Sequence, residues 1–98
     1  MIRHIVCWTL KEENKAANAA EIKQRLEMLR GQIPGLLHLE VGINAKDTPP
    51  DNWDVALLCD FESLAALNAY QEHPIHKEAA VFIASVRTNR VCVDYEVD

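Results

Sequence analysis

Four runs of this chain alternate apolar and polar residues with period two. The stretches between them repeat at helical spacing instead, in the order strand, helix, strand, strand, helix, strand. Residues 2–10 open the pattern, with Ile2, His4, Val6, Trp8 and Leu10 on one face and Arg3, Ile5, Cys7 and Thr9 on the other. Lys11 to Asn18 is polar and reads as a loop. From about Ala19 to Ile33, the apolar positions Ile22, Leu26, Leu29 and Ile33 stand at i, i+4, i+7 and i+11, an amphipathic helix that Pro34-Gly35 ends. Leu36 to Asn44 alternates again, with Leu37, Leu39, Val41 and Ile43 facing away from His38, Glu40 and Gly42. After a loop from Ala45 to Asn52, which contains Pro49-Pro50-Asp51-Asn52 and whose Asp47 and Asp51 read as solvated, Trp53, Val55, Leu57, Cys59 and Phe61 mark one face of a third strand. Ser63 is a suitable N-cap for a helix through Leu64 and Leu67 to about Gln71. Ile75, Ala79, Phe82 and Val86 continue helically beyond a break at Pro74. Thr88 to Val97 closes the series, with Val91, Val93, Tyr95 and Val97 on one face.

The order β-α-β-β-α-β predicts an α+β, ferredoxin-like protomer: a four-stranded antiparallel sheet with both helices on one face. No repeat or linker interrupts residues 1–98, and the length suits one domain. Strands 1 and 3 carry apolar residues on both parities, Ile5 and Cys7 against Val6 and Trp8, and Ala56 and Leu58 against Val55 and Leu57. A sheet with one face in water alternates more cleanly, so the face away from the helices needs a cover. A second copy is the economical one, which predicts a homodimer.

A formal charge of −5, with no basic run, argues against a nucleic-acid partner. No stretch is apolar for long enough to span a bilayer, and the N-terminal residues lack the core of a signal peptide. Cys7, Cys59 and Cys92 are odd in number, far apart and set within apolar runs, so they read as reduced, buried core residues of a cytoplasmic protein.

Tyr70-Gln71-Glu72-His73-Pro74-Ile75-His76 concentrates the groups that can do chemistry. Pro74 has no N–H to bond the Tyr70 carbonyl, so one helix ends here and another begins with proline at its first position. A neutral imidazole at His76 can accept a proton from a carbon acid, and a phenol at Tyr70 can donate to the resulting enolate oxygen. The same residues can instead satisfy backbone groups at a broken helix, with Tyr70 packed over the break. His4 is open to two readings in the same way, as a core histidine with one partner or as a group facing a pocket. His38, on the opposite parity from Leu39, belongs on the outer face or in solvent. His73 and His76 have a metal-like spacing, but proline lies between them and no carboxylate or cysteine sits at a matching position; no metal and no cofactor are expected.

The opening Ile2-Arg3-His4-Ile5-Val6, the helix end Gln32-Ile33-Pro34-Gly35, and Tyr70 followed by His73-Pro74-Ile75-His76 resemble the stress-responsive dimeric α+β-barrel (Dabb) family over the whole chain. The resemblance implies ferredoxin-like protomers paired sheet to sheet, each with a cavity between its own sheet and helices. One characterised plant member is a polyketide cyclase; its catalytic Tyr and His match Tyr70 and His76, and its pocket His matches His4. That member lines its pocket with aromatic side chains from the first helix, where this chain has Ile22 and Leu26, so the cavity should differ in shape. The resemblance therefore implies a pocket formed by His4, Tyr70 and His76, walled by Val6, Trp8, Ile22, Leu26 and Phe82. A small apolar or aromatic ligand would occupy it, with or without turnover. Three functions follow: a homodimeric binding protein, a cofactor-independent cyclase-like lyase with His76, Tyr70 and His4 as its catalytic groups, or a quinol- or haem-directed monooxygenase of similar fold.

Overall fold

A computed structural model of the chain describes residues 1–98 throughout. The elements run β1 (Ile2–Leu10), α1 (Lys15–Glu27), β2 (Leu36–Ile43), β3 (Val55–Phe61), α2 (Leu64–Glu72), α3 (Pro74–Val86) and β4 (Arg87–Glu96). All strand pairs are antiparallel and the sheet order is β2-β3-β1-β4. This is the ferredoxin-like arrangement, with its last helical segment split at Pro74. The break takes the form the proline requires, because His73 caps the new helix and Pro74 occupies its first turn.

The central strand β1 sets the two faces. His4, Val6, Trp8 and Leu10 are buried on its inner face, and β3 aligns Cys59, Leu57 and Val55 opposite His4, Val6 and Trp8. The helices close this side with Ala19, Ile22 and Leu26 from α1, Leu67 and Tyr70 from α2, and Ala79 and Ile83 from α3, a single core. On the outer face, Ile5 pairs with Val93 and Cys7 with Val91, continued across β3 by Leu58 and Ala56. Val91, Val93 and Tyr95 are 50%, 53% and 42% exposed, so the apolar stripe of β4 faces away from the helices with nothing over it in the protomer.

Several elements differ from their reading in the sequence. Helix α1 begins at Lys15, inside the stretch expected to be loop, because the alanine-rich Lys15–Ala20 segment favours helix despite its polarity. It ends at Glu27 rather than Ile33: Leu29 and Arg30 bond back to Leu26 and Glu27 in tight turns, and Gly31 has φ +75°. Leu29 and Ile33 are nonetheless buried, so the apolar spacing reported burial beyond the end of the helix. In β2, Leu36 pairs with Phe61 and His38 with Asp60, leaving Leu37 bulged out and exposed instead of on the face of Leu39 and Val41. Ile43 at the strand end and Trp53 before β3 are also exposed. On α3 Ala79 is buried as its spacing predicts, but Ile83 joins it in the core and Ile75 lies at the surface. Of the three free cysteines only Cys59 is buried; Cys7 is half-buried on the outer face and Cys92 is exposed on the edge strand. Burial pushes the Cys59 thiol up to about 12, which leaves it inert at neutral pH.

Candidate functional site

The helix break positions the site. His73 N–H donates to the Tyr70 carbonyl at 3.1 Å, and its Nδ1 accepts from the Ile75 N–H at 3.2 Å. His73 thus serves the backbone. His76, in the first turn of α3, is turned toward Tyr70 in the last turn of α2, with ring centroids 4.3 Å apart. Tyr70 is held from below by Phe61 at 5.0 Å and edge-on by His4 at 6.2 Å, and it is 1% exposed. The break therefore brings two side chains six positions apart into contact over the sheet.

His4 is fixed by strand pairing. It stands opposite Asp94 across β1–β4, and Nδ1 lies 2.5 Å from the Asp94 carboxylate. With Nδ1–H donating to Asp94, Nε2 is the free acceptor. Cys92, next on the same face of β4, has its Sγ 3.6 Å from His4 Nδ1 and 3.7 Å from Asp94. His4, Cys92 and Asp94 offer ligand atoms within 4.8 Å of one another and are the residues best placed to hold a metal ion. They lie at opposite ends of the chain, so sequence spacing does not reveal them. The short His4–Asp94 bond satisfies both groups without an ion.

Between sheet and helices lies a cavity of about 260 Å³. His4, Tyr70 and His76 meet there, with Val6, Trp8, Leu26 and Leu57 as apolar wall. Ile22 and Phe82 do not line it. Ile22 is fully buried in the core, and Phe82 lies beneath the Arg25 guanidinium at 4.5 Å. The far side is made by Ala80, Ile83, Ala84 and Arg87, with Arg90 from β4. These were readable: His76, Ala80, Ile83, Ala84 and Arg87 recur at i, i+4, i+7, i+8 and i+11, one stripe of a helix. Arg90 shares its parity with Cys92 and Asp94, opposite the Val91 and Val93 face.

Two atoms set the chemistry. Tyr70 Oη and His76 Nδ1 are buried and have no hydrogen-bond partner in the protein. Such groups are uncommon, because each forfeits about 1–3 kcal/mol when unpaired. Burial, with the nearby Cys59 thiol, pushes the Tyr70 phenol well above its ordinary value, so it stays a neutral donor. Burial also holds the His76 imidazole below its ordinary value, outweighing the opposing pull of the Gln71 backbone, with His4 and Arg90 adding to the depression. A neutral base and a neutral donor side by side in an apolar cavity can bind, and can polarise, a carbonyl or hydroxyl group.

A buried, neutral His76 makes the stability of the fold depend on pH. Its folded-state pKa is depressed, so above the unfolded value of about 6.5 neither state binds the proton and nothing is lost. As pH falls below that value, the unfolded chain takes up a proton that the folded one refuses, and stability drops until the folded pKa is passed. The urea midpoint should therefore decrease between pH 7.5 and 5.5, and the decrease should shrink in His76→Gln. An equal decrease in both proteins would count against a buried neutral His76.

Proteins of known structure share this architecture. A dimeric ferredoxin-like protein of unknown function from Bacteroides fragilis is 32% identical, with a TM-score of 0.88, over 98% of this chain and 95% of its own. A hydroxynitrile lyase from Passiflora edulis shares the fold at 19% identity and a TM-score of 0.83, over 99% of this chain and 93% of its own. An antibiotic biosynthesis monooxygenase does so at 15% identity and a TM-score of 0.80, over 100% of this chain and 99% of its own. No curated protein matches the sequence significantly. No helix is long and apolar enough to cross a membrane. The profile of the stress responsive A/B barrel domain matches residues 2–97, and with the split helix, the four-stranded sheet and a dimeric relative in agreement, the chain belongs to that family.

Proposed function

We propose that this chain works as a homodimer, paired through the outer face of its sheet, that binds a small apolar or aromatic molecule in the cavity under α2 and α3. The observation that carries the reading is the pair of partnerless atoms, Tyr70 Oη and His76 Nδ1, beside an apolar cavity wall. A ligand oxygen would satisfy both while its apolar body contacts Val6, Trp8 and Leu26. The apolar stripe on the uncovered sheet face and the dimeric relative support the pairing.

A second reading has specific support: a cofactor-independent lyase of the cyclase type. His76, held neutral, would take the proton from a carbon next to a carbonyl; Tyr70 would donate to the enolate oxygen; His4, oriented by Asp94, would assist. A hydroxynitrile lyase on the same fold is consistent with such chemistry. The monooxygenase reading has only a shared fold behind it.

Calorimetric titration with 2-naphthol tests the binding reading. One molecule should bind per protomer, and Tyr70→Phe and His76→Ala should each weaken it about three- to tenfold, the value of one hydrogen bond. Tyr70→Phe should leave the protein as stable as before or more so, because it removes a hydroxyl that no protein group answers. Absence of binding, or unchanged affinity in both variants, would refute the site. Turnover of an aromatic cyanohydrin or a linear polyketone, lost in His76→Ala, would favour the lyase.

A further inference from the structure

Five arginines occur in the chain. Arg3 is paired with Asp60, Arg25 with Glu21 and Arg30 with Glu27. Arg87 and Arg90 form no ion pair with any carboxylate of the protein, and both line the cavity. In a chain with 15 acidic and 10 basic residues, arginines left unpaired at a cavity are informative, because carboxylates outnumber cations and the other three arginines each have one.

We propose that the cavity takes an anion: a small aromatic carboxylate whose ring lies against the apolar wall and whose carboxylate meets Arg87 and Arg90. This rests on the binding reading above and narrows it to a ligand class. The placement follows from the fold. Arg87 ends the stripe that begins at His76, and Arg90 stands opposite Trp8 across β1–β4, so both cations come from the chain's passage out of α3 into β4. Ala80, Ala84 and Arg90 are the exposed members of the lining, which puts the opening on this side and the arginines beside it. Arg90 also acts inward: its charge is felt at Tyr70, His76 and Cys92.

Asp94, the carboxylate beside His4 on the same face of β4 as Arg90, is committed to His4 at 2.5 Å. It therefore opposes an incoming anion less than a free carboxylate would. A planar guanidinium matches a carboxylate with two parallel hydrogen bonds, whereas an amide can answer with neither the charge nor the second acceptor. The volume, below the roughly 300–1,000 Å³ of drug-sized sites, limits the body of the ligand to one or two rings.

Calorimetry with 2-naphthoate and its uncharged counterpart 2-naphthamide tests the assignment on the full chain at low salt. The carboxylate should bind about ten- to a hundredfold tighter, the range of charge-assisted hydrogen bonds. The preference should shrink as salt is added. It should fall to within about threefold in the double variant Arg87→Gln/Arg90→Gln, with its fold checked by a cooperative urea transition. If that variant does not fold, Arg90→Gln alone carries the comparison. Equal affinity for the two compounds, tighter binding of the amide, or a preference that survives loss of the arginines would overturn the assignment while leaving the cavity reading intact. Binding of neither compound would overturn both.

Discussion

Replacing Gly35 by alanine should cost the protein about 2–5 kcal/mol, measured as a shift in the urea midpoint. Two penalties add. Gly35 has φ +82°, a conformation that costs an L-residue about 1–2 kcal/mol. A Cβ built there would also lie 2.6 Å from the Cβ of Ala66, a contact that forces the first turn of α2 off the sheet, at about 1–3 kcal/mol for overpacking. The Gly35 carbonyl accepts the Glu62 N–H at 2.9 Å, so the same residue also ties down the chain just before α2. Gly31→Ala is the control: its φ of +75° is similar, but nothing lies within 4 Å of the added carbon. It should lose only the conformational part. Tyr70 stands one turn after Ala66 on α2, so Gly35→Ala should also weaken 2-naphthol more than Gly31→Ala does. Equal losses of stability in the two variants would show that the Ala66 contact is not a constraint.

Val93→Asp should split the proposed dimer. Val93 is half exposed in the protomer, faces Ile5 on the neighbouring strand, and lies in the middle of the Val91–Val93–Tyr95 stripe. A carboxylate buried there without a partner costs about 3–5 kcal/mol, which raises the dissociation constant by about 10²–10³-fold or more. The native protein should sediment at twice the 11.1 kDa protomer mass, and the variant at the protomer mass at micromolar concentration. Val81→Asp is the matched control, since Val81 is 72% exposed on α3, away from the outer sheet face. A native monomer, or equal effects of the two substitutions, would remove the sheet face as the interface.

What could be read from the sequence divides along physical lines. Alternation in β1, β3 and β4 located those strands within a residue or two, because each side chain's face follows from local geometry alone. Pro74 located the split helix for the same reason, since a missing N–H acts wherever it occurs. Leu37 was misplaced because a bulge shifts parity without leaving a local mark. Leu29 and Ile33 extended the helical pattern past Glu27 because turns can bury apolar residues as a helix does. At the site, Tyr70 and His76 came from the motif around Pro74 and His4 from strand parity together with the family resemblance, whereas Asp94 and Cys92 became visible only when β1 was paired with β4. That pairing joins the two ends of the chain and has no short-range signal. The Ala80–Ile83–Ala84–Arg87 stripe was legible but lay hidden behind the larger side chains of Phe82 and Val86, which face elsewhere.

The most direct measurement of the cavity's role is the ring-nitrogen chemical shift of the four histidines during titration of uniformly ¹⁵N-labelled protein with 2-naphthol. His76 Nδ1, which has no partner within the protein, should move in a saturable way with one ligand per protomer, and exposed His38 should stay still. A stationary His76 at saturating ligand, or equal movement of His38, would contradict a ligand held at Tyr70 and His76.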